Sequence, residues 1–355
     1  MIIALRPGTE KKMVDQVIAE VKKLGYQPHP ILGEIQTVIA AIGDERAHAS
    51  LEALATWPQV EAVLPVQRRY KLVAQEGRKA GTVVKAHGVT IGSTEPFRLM
   101  AGPCSVESEE QLLTTARAVK KAGATFLRGG AFKPRTSPYE FQGLGEKGLE
   151  LLALAKKETG LGIVTEVLSE LHVDKVAAVA DILQIGARNS QNFSLLKAAA
   201  ASGRAILLKR GLSMKVEEWL LAAEYVMSAG NGQVILCERG IRTFETAVRN
   251  TLDLGAVALA KRESHLPVIV DPSQAAGRAD LVIALSRAAA AVGADGLLVE
   301  VHPNPAEAKS DGQQQLDLEG IQRLAEEVAP FVKAAGRAGG VPSPKASRPC
   351  GKGCS

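Results

Sequence analysis

The sequence predicts a (β/α)8 barrel, preceded by a small ferredoxin-like domain of βαββαβ order and followed by a disordered tail. The barrel is predicted because a short apolar strand and a helical stretch rich in Ala, Leu and Lys alternate eight times after residue 94. The small domain is predicted because residues 1–68 read as strand, helix, strand, strand, helix, strand. The tail is predicted because residues 336–355 hold almost no large apolar side chain to offset chain entropy.

Eight apolar segments, each ending in polar or charged residues, are the predicted barrel strands. They lie at 99–104, 126–130, 162–166, 182–188, 206–210, 234–239, 268–271 and 297–300. Strands that are apolar on both faces and separated by helices belong to parallel βαβ units, and eight such units favour a closed barrel. A doubly wound open sheet is the alternative. It would carry a glycine-rich fingerprint after the first strand, where Gly102-Pro103-Cys104-Ser105 stands instead.

The predicted boundaries divide the chain into four parts. Residues 1–68 form the small domain, residues 69–93 are linker and barrel entry, residues 94–335 are the barrel, and residues 336–355 are the tail. Within the small domain, strands are predicted at 1–5, 35–42 and 60–66 and helices at 10–24 and 44–56. The first helix is predicted because Met13, Val17, Val21 and Leu24 have helical spacing.

The charge balance and the cysteines exclude several classes of protein. Lys and Arg number 43 against 38 Asp and Glu, and a net charge of +5 is too small and too evenly spread for a nucleic-acid surface. There is neither a signal-peptide pattern nor a membrane-length apolar run, so we expect a cytoplasmic protein with no membrane partner. Cys104 and Cys237 lie in separate apolar segments, and Cys350 with Cys354 is a weak metal signal, so no disulfide framework is expected.

The predicted strand ends and the loops after them carry an unusual number of cations. In a barrel the C-terminal ends of all strands meet at one face, so these side chains form a single site. They are Arg128, Lys133, Arg135, Arg188, Lys209, Arg239 and Arg242. A lone arginine is more often part of a surface ion pair, but a whole set at strand ends predicts anionic ligands, namely phosphate and carboxylate groups.

Residues 133–137, Lys-Pro-Arg-Thr-Ser, follow the second barrel strand and two glycines. Backbone N–H groups, hydroxyls and cations in such a loop can all point at one phosphate. A plain turn containing proline is the alternative, but it leaves both cations unexplained. We therefore predict a phosphate site in this loop.

A second group of residues has the chemistry of metal ligands. The first and last strands of a closed barrel are neighbours, so Cys104 and Glu300 come together, and Asp311 follows in the loop after strand eight. A thiolate and two carboxylates can hold a divalent ion such as Mn, Fe, Co or Zn. A free cysteine is more often a small core residue, but the position of Cys104 at a strand end favours the metal site.

Six segments together resemble the 3-deoxy-D-arabino-heptulosonate 7-phosphate (DAHP) synthase family. They are residues 100–107 (MAGPCSVE), 127–143 (LRGGAFKPRTSPYEFQG), 184–193 (QIGARNSQNF), 208–211 (LKRG), 237–240 (CERG) and 271–273 (DPS). The resemblance covers residues 1–333, and it is to the microbial subtype that is related to 3-deoxy-octulosonate 8-phosphate synthase and carries an N-terminal ferredoxin-like domain. The octulosonate enzymes have Asn after the loop lysine, so Lys-Pro-Arg-Thr-Ser favours erythrose 4-phosphate over arabinose 5-phosphate.

The resemblance implies an enzyme that condenses phosphoenolpyruvate with erythrose 4-phosphate and water to give DAHP and phosphate, the first step of the shikimate pathway to aromatic amino acids. Implied ligands of phosphoenolpyruvate are Arg128, Lys133, Arg188, Lys209 and Arg239, and implied ligands of the erythrose 4-phosphate phosphate are Arg135, Thr136 and Ser137. Lys133, Glu166 and Asp271 are the implied catalytic residues, with Glu166 as an acid/base or water-orienting group and Asp271 near the aldehyde. A homotetramer inhibited by an aromatic amino acid at the N-terminal domain is also implied.

One residue departs from the family pattern. The family has a metal-binding histidine after Asp-Pro-Ser, and here that position is Gln274. An amide oxygen is a weaker ligand than imidazole, so the set Cys104, Gln274, Glu300 and Asp311 should hold its metal less tightly. His302 points to the other side of an extended strand and should not substitute. Three interpretations stay open: an enzyme with a weakened metal, a low-activity variant, or a paralogue that binds ligands without turnover. A related synthase for another aldose phosphate is the runner-up.

Overall fold

The structure is a computed structural model that describes residues 1–32, 36–43, 51–64, 69–75, 81–135 and 137–337. The chain folds as two compact units, one of residues 1–69 and one that begins at Tyr70. Several predicted features lie outside the described residues, namely part of the second helix (44–50), Thr136, and the tail from residue 338 with Cys350 and Cys354. Within the described ranges, no helix is both long enough and apolar enough to span a bilayer.

The N-terminal unit is a four-stranded antiparallel sheet with the ferredoxin-like strand order. Its strands are β1 (Ile2–Leu5), β2 (Gln27–Leu32), β3 (Thr37–Ile42) and β4 (Val60–Leu64), arranged as β2-β3-β1-β4. Helix α1 (Lys11–Lys23) buries Val14, Val17 and Val21, and a 3-10 helix (Ala53–Thr56) buries Leu54. The predicted ferredoxin-like fold is confirmed, with the helical spacing of α1 supplying its core face.

A short hairpin precedes the barrel, in the segment predicted as linker and barrel entry. Its strands are β5 (Val84–Ala86) and β6 (Val89–Ile91). His87 and Gly88 join them with φ of 51° and 70°, the positive values that a type I′ turn requires. Val84 and Ile91 are buried among inward-facing side chains of the barrel strands, including Phe126. The hairpin therefore closes the N-terminal end of the barrel.

The second unit is a closed barrel of eight parallel strands. They are β7 (Arg98–Gly102), β8 (Phe126–Arg128), β9 (Gly162–Glu166), β10 (Ile182–Ile185), β11 (Ala205–Lys209), β12 (Val234–Glu238), β13 (Val268–Val270) and β14 (Gly296–Glu300). Strand β14 pairs with β7, so that Glu300 lies opposite Gly102. The predicted closed barrel is therefore confirmed, and the open doubly wound sheet is excluded.

Helices cover the outside of the barrel, and polar side chains cap several of their first turns. They are α2 (Glu109–Lys121), α3 (Glu146–Thr159), α4 (Val173–Val179), α5 (Phe193–Ala201), α6 (Val216–Ser228), α7 (Leu254–Glu263), α8 (Pro272–Ala276), α9 (Ala279–Ala291) and α10 (Leu318–Ala334). The N-cap side chains that accept a backbone N–H are Ser108, Asn192, Asp253, Asp271 and Asp317. Such caps satisfy the N–H groups that a helix start leaves unpaired.

Arg337, which composition assigns to the tail, packs against the barrel. Its side chain is buried and donates to Asp295, to the Gly92 carbonyl at 2.9 Å and to the Glu95 carbonyl at 3.0 Å. Lys261 pairs with the same Asp295 at 2.8 Å. Residues 336 and 337, which composition assigns to the tail, are therefore among the described residues of the barrel unit.

Alternation along the strands decides which polar side chains reach the barrel interior. In β11, Ile206 and Leu208 pack outward with the helices, whereas Leu207 packs inside the barrel. Lys209, two residues after Leu207, continues the inward face, and Arg210 continues the outward one. By the same parity the inward-facing polar residues are Arg128, Glu166, Gln184, Arg239, Asp271 and Glu300.

Candidate active site

The inward-facing side chains surround a polar cavity of about 260 Å³ at the C-terminal ends of the strands. Much of the predicted site lines this cavity: Arg128, Lys133, Arg135, Glu166, Arg188, Lys209, Arg239, Gln274 and Asp311. Cys104 lines a smaller cavity that shares Arg128 and Lys133 with it. Glu300 and Asp271 lie underneath, 1% and 0% exposed. The barrel thus brings together residues spread over some 200 positions of the chain.

Cys104, Glu300 and Asp311, which we call the triad, lie together as the closure of the barrel predicts. Their ligand atoms are all within 4.8 Å of one another. Asp311 is delivered by the loop after β14, where its backbone is left-handed with φ of 49°. Metal bonds to sulfur and oxygen of about 2.0–2.3 Å suit these separations, so the triad fits a divalent ion. His302 lies 3.5 Å from Glu107 and outside the triad, so it does not substitute. The reason predicted for this was wrong, because residues two apart on a strand face the same side, and the strand β14 has already ended at Glu300.

Protein donors surround the Glu300 carboxylate. Its Oε1 accepts hydrogen bonds from Arg128 at 2.6 Å and from Nε2 of Gln274 at 2.9 Å. Its Oε2 accepts from Nε2 of Gln314 at 2.6 Å. Burial opposes ionisation, but the neighbouring cations, Arg128 first, hold the pKa of Glu300 well below its usual range. Glu300 is therefore an ionised carboxylate in the barrel interior.

The Cys104 thiol lies between a cation and a carboxylate. Its Sγ accepts from Nζ of Lys133 at 3.0 Å and lies 3.3 Å from Oδ2 of Asp311. The other oxygen of Asp311 is 3.3 Å from the Arg249 guanidinium. Burial and the charge of Glu300 raise the pKa of Cys104 to about 12. Cys104 is therefore a neutral thiol at physiological pH, and an ion that binds to it must displace its proton.

Gln274 contacts the triad through its amide nitrogen. Nε2 donates to Oε1 of Glu300 at 2.9 Å and to Oδ2 of Asp311 at 3.3 Å. Oε1 accepts from Arg239 at 3.0 Å. The oxygen is the atom that could bind a metal, and it faces away from the triad. The residue predicted as the fourth ligand therefore presents a hydrogen-bond donor at this position.

Lys209 and Asp271 form a buried ion pair beside the cavity. Nζ of Lys209 lies 2.6 Å from Oδ2 of Asp271. Oδ1 of Asp271 accepts from the backbone N–H of Gln274 at 2.9 Å and so caps α8. Lys209 lines the cavity, whereas Asp271 does not. In this arrangement Asp271 holds Lys209 and the start of α8, and its role beside the aldehyde stays a prediction.

Strand β9 holds Glu166 at the cavity wall. Gln184 lies opposite Glu166 in the sheet, and its Nε2 is 3.3 Å from Oε2 of Glu166. Gly186 is the next inward-facing residue after Gln184. A Cβ at Gly186 would lie 2.0 Å from Oε1 of Glu166. The observed position of the Glu166 carboxylate therefore requires glycine at 186.

The Lys-Pro-Arg-Thr-Ser loop sends both of its cations to the cavity. Nε of Arg135 pairs with Glu140 of the same loop at 2.7 Å. The Ser137 hydroxyl accepts from the Tyr139 N–H at 3.3 Å and does not line the cavity. Thr136, the remaining predicted phosphate ligand, lies outside the described residues. Arg135 is therefore the loop residue whose placement supports the predicted phosphate site.

Three residues of the site were absent from the sequence prediction. Gln184 could have been found, because it lies two residues after an inward-facing isoleucine. Arg249 comes from a loop and Gln314 from a 3-10 helix of three residues, and neither segment has a periodicity that indicates direction. The two side chains are joined by a hydrogen bond of 2.9 Å. Arg242, predicted in the cationic group, is exposed and lines a smaller neighbouring cavity.

Comparisons with known proteins agree with this architecture. The DAHP synthetase I family matches residues 73–334, and the DAHP synthase ferredoxin-like domain matches residues 1–68. The chain is 49% identical over 336 residues to a phospho-2-dehydro-3-deoxyheptonate aldolase of Thermotoga maritima, covering 95% of this chain and 99% of that protein. It is 35% identical over 263 residues to a 2-dehydro-3-deoxyphosphooctonate aldolase of Syntrophotalea carbinolica, covering 69% and 94% of the two chains.

Two solved structures match most of this chain, one over 95% and the other over 76% of its length. The crystal structure of the Thermotoga maritima DAHP synthase has a TM-score of 0.88 at 49% identity and covers 95% of this chain and 98% of that one. A truncated form of the Thermotoga maritima enzyme has a TM-score of 0.71 at 52% identity, covering 76% and 98%. From its barrel, its ferredoxin-like unit and these matches, we conclude that the chain belongs to the DAHP synthetase I family.

Proposed function

We propose that this chain condenses phosphoenolpyruvate with erythrose 4-phosphate and water to give DAHP and inorganic phosphate, the first step of the shikimate pathway. Family membership supports the reaction. The observation that carries it in this chain is the cavity on which Arg128, Lys133, Arg188, Lys209 and Arg239 converge. We call these five residues the cationic cluster. Two phosphates and a carboxylate must share one small space, and such a cluster neutralises them.

The cationic cluster is assigned to phosphoenolpyruvate. Arg128, Lys209 and Arg239 are at most 5% exposed, so contacts with an anion form in a medium of low dielectric. Two of these cations have carboxylate partners within the protein, Glu300 for Arg128 and Asp271 for Lys209. The cluster is thus already charged and positioned before the ligand arrives, which lowers the cost of reorganisation on binding.

Erythrose 4-phosphate is assigned to the loop, with Arg135, Thr136 and Ser137 as ligands of its phosphate. Arg135 is paired with Glu140, which is exposed. A dianionic phosphate competes well with one exposed carboxylate, because the surface ion pair contributes little. Arg135 therefore exchanges Glu140 for the phosphate when the aldose binds.

The chemistry joins C3 of the enol to the aldehyde carbon, adds water at C2 and expels phosphate from the resulting tetrahedral carbon. Glu166 is suited to orient that water and to accept its proton, because its carboxylate reaches the cavity wall and is fixed by Gln184 and Gly186. Lys133 supplies positive charge and a proton beside the triad. Asp271 contributes by holding Lys209 in the cationic cluster.

A divalent first-row ion, Mn, Fe, Co or Zn, would be held by Cys104, Glu300 and Asp311. When bound there, the metal would polarise the aldehyde oxygen of erythrose 4-phosphate. We propose that this chain binds the ion more weakly than a site with a fourth, imidazole ligand. The supporting observation is that Gln274 offers Nε2, which has no lone pair for a metal.

We also propose that the N-terminal unit binds an aromatic amino acid that inhibits the barrel, and that the protein is a homotetramer. The ferredoxin-like unit supports the first proposal, because it folds around a hydrophobic core of its own. Inhibition by Tyr or Phe in a steady-state assay and the mass in solution by light scattering test the two proposals separately.

A steady-state assay with both substrates tests the function. Purified full-length protein is supplied with phosphoenolpyruvate and erythrose 4-phosphate, with and without Mn²⁺, and phosphate and DAHP are both quantified. We expect equal amounts of the two products and a higher kcat/KM for erythrose 4-phosphate than for arabinose 5-phosphate. A preference for arabinose 5-phosphate would assign the octulosonate reaction instead. Binding of phosphoenolpyruvate without turnover of either aldose would identify a non-catalytic paralogue.

A further inference from the structure

The amide of Gln274 joins the triad to the cationic cluster. Its Nε2 is 2.9 Å from Glu300 and 3.3 Å from Asp311, and its Oε1 is 3.0 Å from the guanidinium of Arg239. The donor end of the amide meets two carboxylates and the acceptor end meets a cation. The side chain therefore forms a bridge whose two ends match the charges that they contact.

The reverse orientation of this amide is unfavourable at both ends. A half-turn would place Oε1 against the carboxylates of Glu300 and Asp311, and it would direct N–H groups at Arg239. Arg239 is 5% exposed, so the loss of its acceptor would leave a poorly solvated charge. The charges on both sides thus keep the amide oxygen out of the triad.

The backbone that carries Gln274 is fixed as well. Its N–H donates to Asp271 at 2.9 Å, and its carbonyl accepts from Nδ2 of Asn250 at 3.0 Å. Asp271 in turn pairs with Lys209. Two members of the cationic cluster, Lys209 and Arg239, are therefore positioned through the same short stretch at the start of α8.

Protein donors also reach the remaining acceptors of the triad. Arg128 and Gln314 donate to Glu300, and Lys133 donates to Cys104. The outer oxygen of Asp311 pairs with Arg249. Three cations and two amides thus surround two carboxylates and a thiol. The protein's own cations therefore more than offset the negative charge of the two carboxylates.

We propose that Gln274 takes the place of a bound cation as the link between the triad and Arg239, so that this chain binds phosphoenolpyruvate without metal. The inference rests on the proposed function, because that function assigns phosphoenolpyruvate to Arg239. A histidine at this position can bind metal only if it points a ring-nitrogen lone pair at the two carboxylates of the triad. The lone pair and the carboxylates repel each other, so this contact is favourable only when an ion lies between them. The N–H donor of Gln274 makes the contact directly.

The bridge and a metal exclude one another at the two carboxylates. An ion bound by Glu300 and Asp311 occupies the acceptor lone pairs that Nε2 now uses, so the amide must leave. Arg239 then loses its hydrogen bond to Oε1 of Gln274. Metal binding therefore brings no gain in affinity for phosphoenolpyruvate in this chain, whereas a chain with histidine requires the ion to organise the same wall.

The test measures phosphoenolpyruvate binding to metal-free and Mn²⁺-loaded full-length protein. Metal is removed with a chelator, its absence is verified by elemental analysis, and the Kd is measured by calorimetry. The proteins are the unchanged chain, Gln274→His and Gln274→Met, the last being close in volume but unable to form the bridge. Thermal unfolding of each form shows that it is folded under the conditions of the titration.

We expect the unchanged chain to bind phosphoenolpyruvate with the same Kd, within about twofold, with and without Mn²⁺. Metal-free Gln274→His should bind about tenfold or more weakly, the scale of one hydrogen bond to a charged group, and Mn²⁺ should restore its affinity. Gln274→Met should be weakened to a similar degree and should not be restored to the affinity of the unchanged chain.

Two results would overturn the inference. One is a tenfold loss of affinity when the unchanged chain is stripped of metal, with recovery on addition of Mn²⁺. The other is metal-free Gln274→His that is folded and binds as tightly as the unchanged chain. The first result does not depend on any variant folding, and it would leave the proposed function intact. If the unchanged chain fails to bind phosphoenolpyruvate in either state, the proposed function itself is wrong.

Discussion

Nζ of Lys209 lies 2.6 Å from Oδ2 of Asp271, and the two side chains are 6% and 0% exposed. The pair connects the ends of β11 and β13 across the intervening strand. Oδ1 of Asp271 also caps α8. One carboxylate therefore positions a substrate-binding cation and the helix that carries Gln274.

Asp271→Asn should separate these two roles. The amide oxygen can still cap α8, but Lys209 is left as a buried charge without its partner, so the free energy of unfolding should fall by about 3 kcal/mol. Asp271→Ala should lose about 1 kcal/mol more, because the cap is gone. Urea unfolding measures both. Asp280→Asn, at an exposed ion pair with Arg278, is the matched control and should change little. Equal losses for Asp271→Asn and Asp280→Asn would contradict the role of the buried pair.

Gly186→Ala should impair turnover more than binding. The new Cβ would lie 2.0 Å from Oε1 of Glu166, so the carboxylate must move. A displacement of about 1 Å in a catalytic group costs on the order of a hundredfold in rate, and we expect a fall in kcat of that size with a smaller change in the KM for phosphoenolpyruvate. Gly232→Ala is the control, because among the described residues no heavy atom beyond the two chain neighbours lies within 4 Å of a Cβ there. Unchanged kcat in Gly186→Ala would show that Glu166 does not act from its observed position.

Lys133→Ala and Arg188→Ala should each lower kcat/KM by about a hundredfold or more. Each substitution leaves an anion of the bound substrate without a partner, which costs about 3 kcal/mol in transition-state binding. Arg323→Ala is the control, because Arg323 is an exposed cation of α10. Full catalytic efficiency in both cavity variants would remove these residues from the proposed cationic cluster.

A shortened protein that begins at Arg69 should fold, condense both substrates and ignore Tyr and Phe. The sequence suggests a start near Lys71, but Tyr70 is buried in the barrel core and its hydroxyl lies 3.2 Å from Glu263. A protein that begins at Leu72 should therefore unfold at a lower temperature than one that begins at Arg69. Differential scanning calorimetry and steady-state kinetics provide the two readouts. Inhibition that persists without residues 1–68 would place the effector site in the barrel.

The affinity for Co²⁺ should rise about tenfold or more in Gln274→His, because even outer-shell changes alter metal affinity on that scale and the imidazole would be a direct ligand. The affinity of the unchanged chain for Co²⁺ should also rise with pH. The pKa of Cys104 is raised to about 12 by burial and by Glu300, so the thiol is protonated over the accessible range and each ion that binds must release one proton. Competition titrations at pH 6, 7 and 8 measure this dependence, and we expect the Co²⁺ affinity to rise about tenfold per pH unit. Cys104→Ser should flatten it. Equal affinities in the unchanged chain and in Gln274→His would end the claim that the amide weakens the site, whatever the pH slope.

The barrel and the triad could be predicted from local patterns. Apolar segments with polar ends recur after every helix, and closure of such a series makes its first and last strands neighbours. Cys104 and Glu300 were therefore expected together, although nearly 200 residues separate them, and the register of β14 on β7 confirms it. The hairpin at 84–91 was missed because its strands of three residues each are too short to show a period.

The sequence by itself determined which polar residues end the barrel strands and meet at one face. Strand alternation and barrel closure depend only on the order of apolar and polar side chains along the chain. Tertiary structure alone decided which way those side chains point once they leave the strands. Arg242 and Arg249 lie in the same loop and are both exposed, yet Arg249 contacts Asp311 and lines the main cavity, whereas Arg242 lines the smaller cavity beside it. For Gln274, sequence predicts only an amide in place of imidazole. The orientation of that amide depends on Arg239, Glu300 and Asp311, which reach it from other strands and loops, and their charges fix it only when the barrel has closed.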